Sequence, residues 1–384
     1  MTTNTYGNGT NSTAGENTIV HHYDRAGVKA ANRVNLYGQF ADKKHQPQKM
    51  GKTYKISRFL HIYDRELDVN SAEFKAKGFL TARTLAEMNA SLDTAALTEG
   101  AGDTNKVSIK KITMSSDFSR YGEMIDYTDE VEIFSEDAIQ VRYREELGEL
   151  ANSRHEDLLQ RDMLGTPTVV YGGDGSSMVE VDEDAMISYD LIRKGVRTLL
   201  RNRAKKNTTI VTGDTKVGTL PIAKAYYAII GANVKGDLET ITRGAGGTEE
   251  FAYIPAHKYA SAATLADGEV GAMHEVRFIE SEAAVYYAGS GASVAAGTDT
   301  ANDMGLSVTG GNYDVFPILF PTQGSFATIG LKGRDKIKFN AKSPAVVEGV
   351  NPYGTKGFFS YNFFYASIIL EEEKLLKMLV TASA

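Results

Sequence analysis

Residues 135–165 read SEDAIQVRYREELGELANSRHEDLLQRDMLG, and this stretch decides the fold. Ser135 is a favoured N-cap, and Glu136 and Asp137 place negative charge at the positive end of a helix dipole. Apolar residues recur at Ile139, Tyr143, Leu147, Leu150, Ala151, Leu158 and Met163, close to helical period. Arg142, Arg144, Glu145, Glu146, Glu149, Arg154 and Asp157 fill the other faces at pairing distance. Gly165, followed by Pro167, ends the pattern. The helix so predicted has about 30 residues and runs roughly 45 Å at 1.5 Å per residue, well above the usual helix length. A helix this long, with a narrow apolar stripe, reads as a spine against which a sheet lies.

Upstream, the period changes to two. Tyr54, Ile56, Leu60 and Ile62 share one parity, and Thr53, Lys55 and Ser57 the other, which predicts a strand with one covered face. A second strand runs from Val107 to Met114; its parity shifts at Lys110-Lys111, which suggests a bulge. Between the two lie a helix near 80–91 and the Gly-rich run Glu99-Gly100-Ala101-Gly102-Asp103. Together they form a long two-stranded excursion with a decorated tip. Residues 1–18 are Thr, Asn and Gly with almost nothing apolar, so they cannot offset their own ordering entropy without a partner. Residues 19–48, with anchors Val20, Tyr23, Val28, Val34, Tyr37 and Phe40, suit an extended arm lying on another surface.

Downstream, a Gly- and acid-rich connector (168–186) leads to a second amphipathic helix. It runs from cap Ser188 through Leu191, Ile192, Val196, Leu199 and Leu200 to a basic end at Arg201, Arg203, Lys205 and Lys206. A strand at Thr209–Thr212, a helix near Ile222–Ile230, a Gly loop at 244–247 and a strand at Phe251–Ile254 follow. The 282–311 stretch reads as a variable loop, and Tyr313–Phe320 and Phe326–Leu331 as strands. Phe358–Leu370 is aromatic and β-prone, Glu371–Lys374 a turn, and Leu375–Val380 either strand or helix. No internal repeat is evident.

Composition narrows the function. The formal charge is −7, from 42 basic and 49 acidic residues, which disfavours a general nucleic-acid binder because such binding works by neutralising phosphates. The absence of Cys rules out disulfides and thiolate metal sites. Residues 1–20 lack the basic and apolar regions of a signal peptide, and no apolar run approaches the roughly 18 residues of a membrane span. The chain is therefore expected to be soluble and made in the cytoplasm, with no membrane partner.

Catalytic and cofactor signatures fail one by one. There is no Gly-x4-Gly-Lys-Ser/Thr loop, and Gly244-Ala245-Gly246-Gly247 lacks dinucleotide-loop spacing. Gly289-Ser290-Gly291 lacks the spacing of a nucleophile elbow. His21 and His22 are adjacent in an extended segment and diverge; His155 reads as a surface salt-bridge group on the spine; His257 reads as packing a turn after Pro255. Glu180, Asp182, Glu183 and Asp184, near Asp174, lack the twelve-residue calcium pattern and read as a solvated acidic loop. The Arg201–Lys206 cations sit at a helix C-terminus, where they are favoured without any ligand, and contact with DNA or an acidic neighbour is a secondary reading. The expected catalytic, cofactor-binding and metal residues are accordingly none, with no cofactor and no enzyme activity.

The order of features resembles the major capsid proteins of tailed phages with the Hong Kong 97 fold, an α+β architecture, and more narrowly the family typified by the podovirus N-four. The segments that carry it are Leu97-Thr98-Glu99-Gly100, Arg120–Glu130, Glu146–Gly165, Phe251–His257, Gly268-Glu269-Val270-Gly271, Val276–Ser281 and Asn351-Pro352-Tyr353-Gly354, with the aromatic strand after them. Phe358 and Phe359 stand where that family would have a Trp-Lys-like pair. The resemblance implies an N-terminal arm (1–48), an extended loop (49–115), a peripheral domain with the spine helix (116–168), an axial domain (169–334) and a return to the peripheral domain (335–384). It implies a virion shell protein assembled in the host cytoplasm, whose partner is itself, in hexamers and pentamers of an icosahedral capsid. That capsid encloses double-stranded DNA without sequence-specific binding, and scaffolding, portal and decoration proteins are further partners. The alternatives are a virion decoration or surface binding protein, or an encapsulin-like compartment shell.

Overall fold

A computed structural model describes residues 36–59, 84–97, 99–100, 109, 111–134, 139–211, 219–243, 250–251, 253–259, 265–294, 305–334, 336–347 and 351–384. The first of these lie in the body of the protein. A single 3-10 turn, Tyr37–Phe40, buries Leu36, Tyr37, Phe40 and Ala41. Strand β1 (Asp42–Gln46) then pairs in parallel with β16 (Phe326–Leu331), whose other edge takes β19 (Ser367–Ile369). Residues 36–46 thus lie on their own chain, not in an arm on another surface as their sequence suggests. Four apolar side chains in six residues give this piece enough buried area to hold on its own chain. The rest of the arm, with His21 and His22, lies outside the described residues.

The two-stranded excursion starts as read. Strand β2 (Thr53–Phe59) pairs antiparallel with β3 (Lys111–Asp117) from Thr53↔Asp117 to Phe59↔Lys111, and both alternate exposed and half-buried residues. Residues 60–83 and the strand's predicted start at Val107 lie outside the described residues. Helix α1 (Leu85–Ala95) falls within the excursion, a few residues later than predicted.

Strand β4 (Ser119–Thr128) leads through the short helix α2 (Asp129–Phe134) into the spine, α3 (Ile139–Leu164). The predicted cap at Ser135 lies outside the described residues. Leu147, Ala151, Leu158, Leu159 and Met163 bury the stripe, whereas Leu150 is exposed. A sheet lies on this spine as expected. β17 (Lys338–Lys342), β18 (Lys356–Tyr365) and β4 pair antiparallel, and Tyr127, Phe359, Tyr361 and Phe363 pack on the helix. β18 alternates buried and half-buried residues along its length, with the buried ones on the spine face.

The middle of the chain builds an eight-stranded mixed sheet. Its path runs β10 (Ile254–Pro255), β11 (Glu269–Met273), β12 (Val276–Glu280), β7 (Thr219–Ile230), β15 (Phe316–Phe320), β20 (Leu376–Val380) and β5 (Val169–Tyr171), with β6 (Asn207–Val211) paired to β7. Helix α4 (Tyr189–Arg201) packs on one face through Leu191, Ile192, Val196 and Leu199, and α5 (Ala232–Thr240) on the same face through Val234 and Leu238. A Cβ on Gly195 would come within 2.8 Å of Met378, so glycine permits this close approach of helix to strand. The pairs β8 (Thr242–Arg243) with β9 (Glu250–Phe251), and β13 (Val308–Thr309) with β14 (Asn312–Tyr313), are two-residue ladders at the margins.

Two readings change. Ile222–Ile230 is not a helix but most of β7. Tyr226, Ala228 and Ile230 face the helices, and Ala225, Tyr227 and Ile229 face the spine side. A strand covered on both faces loses the alternation that would announce it. The helix comes immediately afterwards, at Ala232–Thr240. The second change is at Leu375–Val380, left open between strand and helix: it is β20, in the large sheet between β15 and β5.

Candidate assembly surfaces

The excursion is fixed at its base and bare beyond it. Tyr54, Ile56 and Met114 pack against Phe118, Ala327, Ile329, Ala366 and Ile368, and Arg58 meets Glu371 at 3.3 Å. The opposite face carries Lys55, Ser57, Thr113 and Ser115, all exposed. Where the ribbon leaves the body, Phe59 is 69% and Ile109 64% exposed. Among the described residues the two strands pair only with each other, which leaves one row of backbone groups on each without a strand partner there. A two-stranded ribbon is marginal alone in water. On α1, Leu85, Met88 and Leu92, spaced i, i+3, i+7, are exposed together, and Leu97 beyond it is 79% exposed.

A second bare surface lies at one end of the three-stranded sheet. Val131, Ile133 and Phe134 of α2 are exposed, as are Val346, Val347 and Tyr353 of the β17–β18 connection. Asp129 N–H donates to the Thr355 carbonyl, which joins the two segments. Asn351 shapes that connection. Its Oδ1 accepts from the N–H groups of Thr355 (3.0 Å) and Lys356 (3.3 Å), and its Nδ2 donates to the Lys356 carbonyl at 2.9 Å. The Asn351–Gly354 run is thus a built turn that presents Tyr353 outward.

Two buried polar residues of the spine hold the first turn. Tyr37 N–H donates to Glu156 at 3.0 Å. The amide of Gln160 accepts from the Tyr37 hydroxyl and the Val285 N–H (2.8 Å each) and donates to the Ala283 carbonyl (3.2 Å). Glu156 and Gln160 are buried polar residues one helical turn apart. That spacing on the covered side of the stripe was the available signal. Lys377 of β20 donates to the Leu164 carbonyl at 2.8 Å, a cation on the spine's C-terminal end, and burial lowers its pKa.

His155 is not a surface salt-bridge group. It lies half-buried against the rings of Phe363 (5.9 Å) and Tyr365 (5.6 Å), and burial, with Lys43 second, lowers its pKa. The reason is its place four residues after Ala151, on the apolar stripe. His257 is exposed in a 3-10 turn, Ala256–Lys258. In the acidic connector three carboxylates have local tasks. Glu180 accepts from the Ser176 N–H and hydroxyl, Asp182 from the Asp184 N–H, and Glu183 from the Tyr313 hydroxyl. Among the described residues no three His, Cys, Asp or Glu are grouped to hold a metal ion. Lys206 pairs with Glu275 at 2.9 Å over the Tyr226 ring. Ser290 donates to the Ala288 carbonyl, and the Gly289 N–H to Asp314. The glycine loop at 244–247 lies outside the described residues. Among the described residues no helix is long and apolar enough to cross a membrane.

No family model matches the chain. The major capsid protein of Pseudomonas phage KPP21 is 27% identical over 380 residues, which cover 95% of this chain and 93% of that one. The capsid of Ralstonia phage GP4 is similar in structure, with a TM-score of 0.60, 10% identity, and 96% of this chain and 97% of that chain covered. The cyanophage Pam1 capsid follows at 0.55, also 10% identical, covering 96% and 98%. An end-to-end sequence match, an end-to-end fold match and a spine under a sheet all agree: the chain is similar to the major capsid proteins of tailed bacteriophages and has the Hong Kong 97 fold.

Proposed function

We propose that many copies of this chain close into the hexamers and pentamers of an icosahedral shell around packaged double-stranded DNA. The observation that carries the proposal is the β2–β3 ribbon, whose outer edges meet no further strand among the described residues and whose helix α1 exposes Leu85, Met88 and Leu92. Exposed apolar surface and open edges of this kind gain most from a neighbouring subunit. In this reading, residues 1–48 are an arm whose root (36–46) is seated in the body, and 49–115 are the extended loop. Residues 116–168 and 335–384 form the peripheral domain, and 169–334 the axial domain, with β20 crossing back into the axial sheet. Arm and loop give each subunit two holds on its neighbours, so avidity replaces covalent bonds. The net charge of −7 suits a wall that confines DNA without binding its sequence. The same reading makes the role purely structural, and places assembly in the host cytoplasm with scaffolding, portal and decoration proteins as partners.

Expression of the full chain, followed by sedimentation and electron microscopy, tests this. Closed particles of uniform size are expected. A species that stays a folded monomer at high concentration would contradict it.

A further inference from the structure

The spine and the large sheet meet through apolar side chains: Leu159 and Met163 share one cluster with Tyr227, Ile229 and Leu319. Apolar contact is non-directional, so by itself it lets a helix slide or swing on a sheet. Directional ties stand at two places. At the spine's end, Lys377 of β20 donates to the Leu164 carbonyl, and Thr166 Oγ1 donates to the Leu375 carbonyl at 2.6 Å. The other tie is the first turn. About 12 Å back along the helix from Leu164, Glu156 accepts from the Tyr37 N–H. Gln160, one helical turn on, bonds at once to the Tyr37 hydroxyl and to the 283–285 segment that follows β12. On its far side the turn reaches the margin of the large sheet. Gln39 donates to the Asp267 carbonyl at 3.2 Å, and Leu36 lies against Gly268, where a Cβ would come within 3.0 Å of it. Tyr37, Gln39, Glu156 and Gln160 are between 2% and 4% exposed.

A helix pinned at one end can still pivot, whereas a second directional tie fixes where it points. Buried hydrogen-bond networks specify one arrangement in a way that apolar packing does not. We propose that Tyr37, Glu156 and Gln160 form a clamp that sets the angle between the spine and the large sheet, and through it the curvature at which copies of the chain close. The first half stands on the single chain; the second rests on the shell reading above. In a closed assembly the rotation from copy to copy decides where the structure closes, so a changed angle inside the subunit changes the size of the shell. The clamp's worth lies in direction more than in stability. Replacing both partners of a buried hydrogen bond by apolar groups of the same shape is often nearly neutral.

Tyr37→Phe with Gln160→Met removes the clamp and keeps the volume. The chain has no Cys to compete for labels. Spin labels at Glu145→Cys on the spine and Glu239→Cys on α5, both exposed positions, therefore report the angle in the unassembled chain by pulsed electron resonance. With the clamp intact a single narrow distance is expected. Without it the distribution should broaden, at a melting temperature little changed. An unchanged distribution in the folded variant overturns the clamp. If the double variant does not fold, Tyr37→Phe alone, which loses one hydroxyl, decides by the same measurement. Electron microscopy reads the second half. Shells of the double variant should show more than one diameter. Asp162→Ala, which loosens the spine from its own sheet and leaves the clamp in place, should keep one diameter. A single, unaltered diameter in the double variant overturns the link to curvature, even where the distances broaden. Failure of the unsubstituted chain to form shells would sink the shell reading instead, and the distances would still judge the clamp.

Discussion

Asp162 shows how single side chains tie the spine to its sheet. It accepts from the Tyr365 hydroxyl at 2.9 Å and the Ser367 hydroxyl at 2.6 Å. A carboxylate this near a helix C-terminus opposes the dipole, so these donors must offset it. Asp162→Ala should destabilise the unassembled chain by about 1–3 kcal/mol in urea unfolding, since it strands two hydroxyls. His155 gives a pH dependence with a definite sign. Its folded pKa is below the ordinary 6.5, chiefly through burial and then through Lys43. The unfolded chain therefore binds the proton more readily, and stability falls as pH drops through 6.5 toward the folded value. His155→Gln should flatten the Tm-versus-pH curve in that window; an unchanged slope would remove His155 as its source. Neither role was legible from neighbours in sequence. Glu156 and Asp157 suggested a surface pair, but helical phase puts position 155 with Ala151 and Leu158.

Elements were legible where one face is covered and obscure where both or neither are. The spine and β2 announced themselves by period, because a stripe or an alternation is what one-sided burial leaves in a sequence, and the aromatic strand announced itself by its β-prone residues. β7 did not, since residues 225–230 are buried on both sides and Ala, Tyr and Ile there fit either period. The first turn was misplaced for another reason. Tyr37 and Phe40 do read as anchors, but only the fold shows that the surface they hold is their own spine and sheet, with the Phe40 and Tyr227 rings 5.1 Å apart. Phe40→Ala should therefore cost about 3–5 kcal/mol, as for other large core truncations, and lower Tm without any partner present. It follows that removing residues 1–48 unfolds the body, whereas removing 1–35 leaves a folded chain. Circular dichroism and thermal melts of the two truncations separate the cases, and equal melting would show that the turn is dispensable. Of the assembly surfaces, the apolar spacing of Leu85, Met88 and Leu92 was in the sequence; that the three are exposed together required the fold.

At the scale of the whole chain, the large sheet is well buried, and the outlying parts are not. Among the described residues the ribbon's outer edges meet no further strand, and α1 keeps an apolar stripe in water. A monomer gains nothing from these features, whereas a ring of copies can cover all of them. Shortening the excursion between residues 60 and 110 to a tight turn should leave the Tm of the unassembled chain within a few degrees and abolish particles, because the ribbon's contribution is made between subunits. The central claim is that these limbs rest on adjacent copies. Electron cryomicroscopy of the assembled particles examines it most directly. Density for each β2–β3 ribbon lying across a neighbouring subunit is the result expected. Ribbons folded back on their own subunits, in complete shells, would contradict it.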